Sequence, residues 1–396
     1  VTPSEDRVLS RLARTPLATI AEKTAAGERL SFEDGVTLFR SRDFLGVGAL
    51  ANLVREKRHG NVAYYNVNKY LNPTNLCWVD CGLCAWARKP GVEGGYAMSI
   101  KECVAEAEAG WHDGVTELHI VGGLHPTLPY EWYLELLRAL KHRFPAVHLK
   151  AWTMVEVDWI ARVGKKPLDA AILDLKAAGM DSCPGGGAEI FAKRVRDVIC
   201  TDKISGERWL EVARRCHLLG VQTNVTMLYG SVETDEERVD HLVRTRALQD
   251  ETHGFLGFIP LAFHPEGTKL PDVPPAEGMT DLKVIAVSRL MLDNLDHVKA
   301  YWIQIGEKLA PLALHFGADD LVGTVTEETI THAAGAKTEA GLTRVEMERM
   351  IRGAGRDPVE RDAHYERVVR DESGRVVRAN GFDFASAREA AATSAA

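Results

Sequence analysis

Residues 77–84 read Cys77-Trp78-Val79-Asp80-Cys81-Gly82-Leu83-Cys84, which puts three thiols within eight residues, close enough to converge on one small object. The segment before them, Val62-Ala63-Tyr64-Tyr65-Asn66-Val67-Asn68, reads as a strand. Asn72-Pro73-Thr74-Asn75 then breaks that strand into a loop. The cysteines therefore hang on a loop at a strand end, where barrels and open α/β sheets place their chemistry.

Structural zinc takes four protein ligands, usually as two separated pairs. Here there is one triplet, and Cys103, Cys183, Cys200 and Cys216 are scattered. A [4Fe–4S] cluster held by three cysteines keeps one iron open for a small molecule. The spacing, three residues and then two, resembles that of the radical S-adenosylmethionine (SAM) enzymes. In those enzymes the open iron binds the amino and carboxylate groups of the methionyl part.

Outward from the triplet the chain alternates strand and helix, the pattern of a parallel sheet. Strands are expected at 62–68, 116–121, 147–153, 180–183, 222–229 and 255–263, and a seventh at 300–305. Residues 316–320 are expected to form an eighth turn. Helices are expected between them, with Ser99 and Glu102 spaced as a capping box. Residues 1–60 carry an apolar stripe at helical spacing and read as a helical layer. The expected fold is an α/β parallel (β/α) barrel of six to eight strands. The barrel, with C-terminal helices, is expected over 61–370, and a loosely ordered Ala- and Ser-rich tail over 371–396.

The chain has 396 residues, 45% of them hydrophobic, enough for a large core. A net charge of −8 gives no nucleic-acid footprint. No apolar run approaches a membrane span. Residues 1–14 lack an apolar signal core, and seven cysteines form no paired framework. A cytoplasmic location is the expectation.

Strand ends supply the candidate site. Gly122 and Gly123 close the second strand and leave backbone groups open to a ligand. Glu189 follows Gly185-Gly186-Gly187, where a carboxylate can accept from ribose hydroxyls or an ammonium, and Lys203 can pair with a carboxylate. His119, His125 and His264 are candidate substrate contacts. Thr153 and Glu156 close the third strand, and Asn224, Tyr229, Ser231 and Glu233 lie along and after the fifth. His332 and Asp319-Asp320 are weaker candidates.

Longer segments carry a closer resemblance. They include Asn72-Pro73-Thr74-Asn75-Leu76-Cys77, His119-Ile120-Val121-Gly122-Gly123-Leu124-His125-Pro126 and Pro184-Gly185-Gly186-Gly187-Ala188-Glu189-Ile190-Phe191. Phe258 to Pro265 and His315-Phe316-Gly317-Ala318-Asp319-Asp320 continue it. Across residues 60 to 365 the chain resembles the aminofutalosine synthase family of the futalosine route to menaquinone. Gly82, Leu83, Trp86 and Ser231 depart from that family's pattern.

The resemblance implies a [4Fe–4S] cluster on Cys77, Cys81 and Cys84, and SAM, held by Gly122, Gly123, Glu189 and Lys203 and consumed as co-substrate. It implies that a 5′-deoxyadenosyl radical adds to the enol ether of 3-[(1-carboxyvinyl)oxy]benzoate, giving 6-amino-6-deoxyfutalosine. An electron donor such as flavodoxin or ferredoxin is implied as well. Arg88 and Lys89 are candidates to hold the substrate carboxylates. Dehypoxanthine futalosine cyclase and deazaflavin synthase share the scaffold, and a non-catalytic iron–sulfur redox carrier is a reading from another class.

Overall fold

The computed structural model describes residues 3–109 and 114–383. Four helices, Pro3–Leu12, Ala18–Ala26, Phe32–Arg40 and Phe44–His59, precede the first strand as the expected helical layer. Ser31 and Asp34 cap the third of these reciprocally. The fourth packs on helix Gly278–Met291. At Gly48 a Cβ would sit 2.4 Å from the Phe316 ring, so the missing side chain lets that ring stack on Phe44 at 5.0 Å.

The sequence expectation of one strand over 62–68 is corrected. The chain bends at Val67 into β1 (Val62–Asn66) and β2 (Asn68–Leu71). Both halves run beside residues 320–326 on one side but have different partners on the other. Parallel strands β3 (Glu117–Ile120), β4 (His148–Ala151), β5 (Ser182–Cys183), β6 (Gln222–Tyr229) and β7 (Phe255–Ala262) follow β2 in sequence order around one curled sheet. β8 (Asp320–Gly323) and β9 (Asp357–Glu360) flank β1, also in parallel.

The sheet curls round on itself. Single parallel bridges join Phe258 to Val298, Lys299 to Asp320 and Thr326 to Lys69, carrying the pairing from β7 back to β2. Residues 300–305, expected as a strand, are corrected: the pairing residues are Val298 and Lys299, and Trp302–Ile305 is a short helix. Its apolar side chains are drawn inward instead, and the buried Trp302 donates its indole N–H to the Gly323 carbonyl at 2.8 Å.

Alternation along each strand separates two environments. On β3, Leu118 and Ile120 are fully buried against the outer helices, while Glu117 and His119 face the barrel interior. Beyond β9 an antiparallel sheet, β10 (Val369–Arg370), β11 (Val376–Ala379) and β12 (Phe382–Asp383), begins the stretch read as a tail. The rest of that stretch, residues 384–396, lies outside the described residues.

One buried charge cluster ties the helical layer to the barrel. Arg289 and Asp319 are both 0% exposed and paired. Asp319 also accepts from His297 Nδ1 at 2.7 Å and from the Val298 N–H at 2.8 Å. Burial opposes the Asp319 charge, but His297 and Arg289 outweigh it and hold its pKa below the usual 3.8. Stability from this carboxylate is therefore complete above that value and is lost as pH falls through the depressed folded value. Asp319→Asn leaves Arg289 buried without a counter-charge and is expected to cost about 3–5 kcal/mol. Urea unfolding midpoints of the two proteins at pH 7 measure the loss.

Candidate active site

A cavity of about 340 Å³ fills the barrel, with the cysteine loop at its mouth and a set of charged groups at its floor. Cys77, Cys81 and Cys84 all line it. Backbone bonds fix their loop: Cys77 N–H to Arg88 O at 2.9 Å, Trp78 N–H to Leu124 O at 2.8 Å and Leu83 N–H to Ile199 O at 3.1 Å. Two of the sulfurs already accept backbone donors, Cys77 from Leu124 N at 3.3 Å and Cys84 from Ala87 N at 3.4 Å. Burial is the larger effect and raises the Cys77 thiol, with the Leu124 N–H opposing it.

The donor set fits a cluster better than a single ion. Among the described residues only three cysteines share this loop and line the cavity, one short of a structural zinc's four ligands and the number that leaves one iron of a cluster open.

The glycine turn leans directly on this loop. Gly123 donates its N–H to Thr74 O at 2.8 Å, and a Cβ there would meet Leu76 O at 2.3 Å. Gly122 donates its N–H to Glu156 Oε1 at 2.8 Å. With both N–H groups engaged, the turn presents carbonyl oxygens, the partners an ammonium needs. Glu156 Oε2 accepts from Thr153 N and Oγ1 at 2.8 and 2.7 Å, the capping box of helix Met154–Val163. Burial pushes the Glu156 carboxyl up to about 7, against the pull of its Thr153 and Gly122 donors.

Glu189 stands in left-handed backbone (φ 48°) and accepts from Lys203 Nζ at 2.5 Å. Burial works against the Lys203 charge, but Glu189 overcomes it and raises its pKa. Both side chains line the cavity. Gly185 is required beside them, since a Cβ would lie 2.7 Å from the Val225 backbone.

At the floor, Lys150 pairs with Glu117 at 2.6 Å, and Arg361 with Asp320 at 2.7 Å. Lys299 lies among them. His119 stacks on Tyr70 at 4.4 Å, and burial pulls its pKa down to about 3, so it is a neutral imidazole.

Known proteins share this arrangement of chain. Residues 71–244 match the radical SAM superfamily model, and 252–373 match the CofH/MqnC C-terminal region. An aminodeoxyfutalosine synthase of Thermus thermophilus is 48% identical over 89% of this chain and 96% of its own length. The chain belongs to the aminodeoxyfutalosine synthase family of radical SAM proteins. A second family member, from Streptomyces coelicolor, is 42% identical over 90% of this chain and 94% of its own. The cyclic dehypoxanthine futalosine synthase of that organism is 36% identical over 90% of each chain. Methylornithine synthase shares the fold alone, with a TM-score of 0.68 and 18% identity over 85% of this chain and 96% of its own. A [4Fe–4S] cluster and SAM are the cofactors of this radical SAM chain.

Within this family frame, Gly122, Gly123, Glu189, Lys203, His119, Thr153, Glu156, Asn224 and His264 meet around the cavity. Four other candidates do not line it. His125 accepts from the Thr127 and Leu128 N–H groups at 3.2 and 3.1 Å, closing its own loop. Tyr229 donates to Asp281 at 2.8 Å on the outer face. Glu233 accepts from Gly230 N, Ser231 N and Ser231 Oγ at 2.6, 2.9 and 2.8 Å, so both residues brace a turn. Ser231, where the family pattern differs, therefore lies off the cavity, whereas Leu83 and Trp86 line it. Arg88 and Lys89 are spent on loop carbonyls. The weaker candidates His332, Asp319 and Asp320 do not line the cavity either; His332 pairs with Glu328 at 2.9 Å, and Asp320 stands behind Arg361, which does line it.

The sequence reading missed Glu117, Lys150, Lys299 and Arg361. The signal was present on β3 and β4, where a charge inside a parallel strand is unusual and marks an inward face that is not core.

Proposed function

We propose that this chain is an aminodeoxyfutalosine synthase, joining the 5′ carbon of SAM to the enol ether of 3-[(1-carboxyvinyl)oxy]benzoate. The carrying observation is the 48% identity across 96% of the Thermus synthase, against 36% for the cyclic dehypoxanthine futalosine synthase. A reduced cluster, bound at Cys77, Cys81 and Cys84, supplies the electron that cleaves SAM. The Gly122–Gly123 carbonyls and Lys203 orient its methionyl ammonium and carboxylate, and Glu189 fixes Lys203. His119, Asn224 and His264 line the space for the aryl ether, with Thr153 and Glu156 bracing the glycine turn. The barrel wall keeps water from the reacting carbon.

Residues 61–370 form the catalytic unit in this reading, with 1–60 as a supporting layer and 371–396 as a tail. The transferase works in the cytoplasm with a flavodoxin- or ferredoxin-type electron donor. No helix among the described residues is long and apolar enough to cross a membrane.

Carbon-13 at C5′ of SAM tests the reaction. With reductant and the authentic benzoate, the label is expected in aminodeoxyfutalosine, bonded to a substrate carbon, in near equality with methionine released. Label found almost wholly in free 5′-deoxyadenosine would point instead to hydrogen abstraction of the cyclase kind.

A further inference from the structure

Lys299 is the floor cation that the fold leaves without a hydrogen-bonded carboxylate, its ammonium resting over the Tyr365 ring at 5.3 Å. It is 2% exposed and lines the cavity, yet no hydrogen bond to its ammonium is present among the described residues. Its nearest carboxylate oxygen, Asp320 Oδ2, stands 3.8 Å away and already accepts from Arg361 Nε at 2.7 Å and Tyr365 OH at 2.8 Å. Lys150 is bound to Glu117. Three basic side chains thus face two carboxylates beside a cavity. Burial, then Arg361, pulls the Lys299 ammonium down to about 7, while Asp320 opposes.

A buried ammonium with no hydrogen-bonded partner is costly, and a ligand carboxylate would supply that partner. The backbone makes room for it: a Cβ at Gly257 would lie 2.9 Å from Lys299 Cε. The group is also placed at the right depth. From Glu117 at the floor to Gly122 at the mouth is roughly 16 Å at about 3.3 Å per residue. A ligand whose reacting end must meet the cysteine end therefore points its far end at Lys299.

We propose that Lys299, with Arg361 and Lys150 beside it, is the receptor for the ring carboxylate of the substrate. This rests on the synthase reading, in which the alkene sits at the mouth and the benzoate carboxylate lies farthest from the reacting carbon. Lys299 meets that carboxylate as a point charge, and Arg361, held in place by Asp320 and by the Asp362 and Val322 carbonyls at 3.0 and 3.2 Å, adds its charge from the cavity wall.

The test compares two ligands on cluster-loaded protein with SAM and no reductant, so that binding is read without turnover. They are 3-[(1-carboxyvinyl)oxy]benzoate and 2-phenoxyacrylate, which lacks the ring carboxylate. Calorimetric titration of the wild type is expected to show a preference of about 30-fold or more for the benzoate. Lys299→Met and Lys299→Gln are expected to cut that preference to about fivefold or less, by weakening the benzoate, while Lys299→Arg keeps most of it. No preference in the wild type, an undiminished preference in Lys299→Met, or equal weakening of both ligands would overturn the receptor. The two readings separate cleanly. Discrimination through Lys299 without labelled product sinks the synthase reaction and upholds the receptor. Labelled product with discrimination independent of Lys299 sinks the receptor alone.

Discussion

A protein with Cys77, Cys81 and Cys84 all changed to alanine is expected to fold, to carry no cluster and to form no product. The fold survives because the loop is held mainly by its backbone, through the Arg88, Leu124 and Ile199 carbonyls and the Lys269 N–H on Gly82 O, with sulfur accepting only the long Leu124 and Ala87 N–H contacts. The cluster is lost because the other four cysteines, Cys103, Cys183, Cys200 and Cys216, are buried in the packed core. Cys200, close enough to Cys81 to raise its pKa, is the one sulfur that has a chance of substituting. Iron and sulfide content with visible absorption decides it, and a full cluster in the triple variant would move the ligand assignment towards Cys200. Turnover is expected to fall below detection, because no other described group supplies an electron to SAM.

Gly123→Ala carries the second large effect. Its Cβ would meet Leu76 O at 2.3 Å, Leu76 C at 2.8 Å and Asn75 C at 3.1 Å, all backbone atoms, one residue before Cys77. Nothing there can give except the cysteine loop itself, so the first ligand moves. Strain of this kind costs about 1–3 kcal/mol. Spread over a ligand set it is expected to remove most of the bound iron while the chain stays folded. Gly122→Ala is the control, since its Cβ would come no closer than 3.2 Å to Thr74 O. Iron per chain and thermal midpoint of both variants check the contrast.

What could be read from the sequence was local. The cysteine triplet, the glycine pair and the Gly185–Glu189 turn each lie within a few residues, and their spacing speaks for itself. The strands β3 to β7 were legible for the same reason, as apolar runs between capped helices. The barrel floor was not, because Glu117, Lys150, Lys299 and Arg361 come from four distant places and meet only once the sheet has curled. Parity was legible and went unused: Asn224, Thr226 and Leu228 alternate inward on β6, which turns Tyr229 outward to Asp281. The stretch at 300–305 misled because Tyr301, Trp302 and Ile303 suit strands by type, while tertiary burial decides their conformation.

The pairing of β1 between β8 and β9 governs how the molecule is made. Beside β1, Asn61 Nδ2 bonds Asp357 Oδ2 across 296 residues of chain. During synthesis the first strand emerges without two of its neighbours. At about 5–20 residues per second those neighbours arrive roughly 15–60 s later. Until then the cysteine loop already exists while the barrel beside it stays open along the seam that residues 298–326 will fill. That interval leaves Cys77, Cys81 and Cys84 of the nascent chain open along the seam. Afterwards, closure of the seam turns the same thiols towards an interior reached only through the mouth.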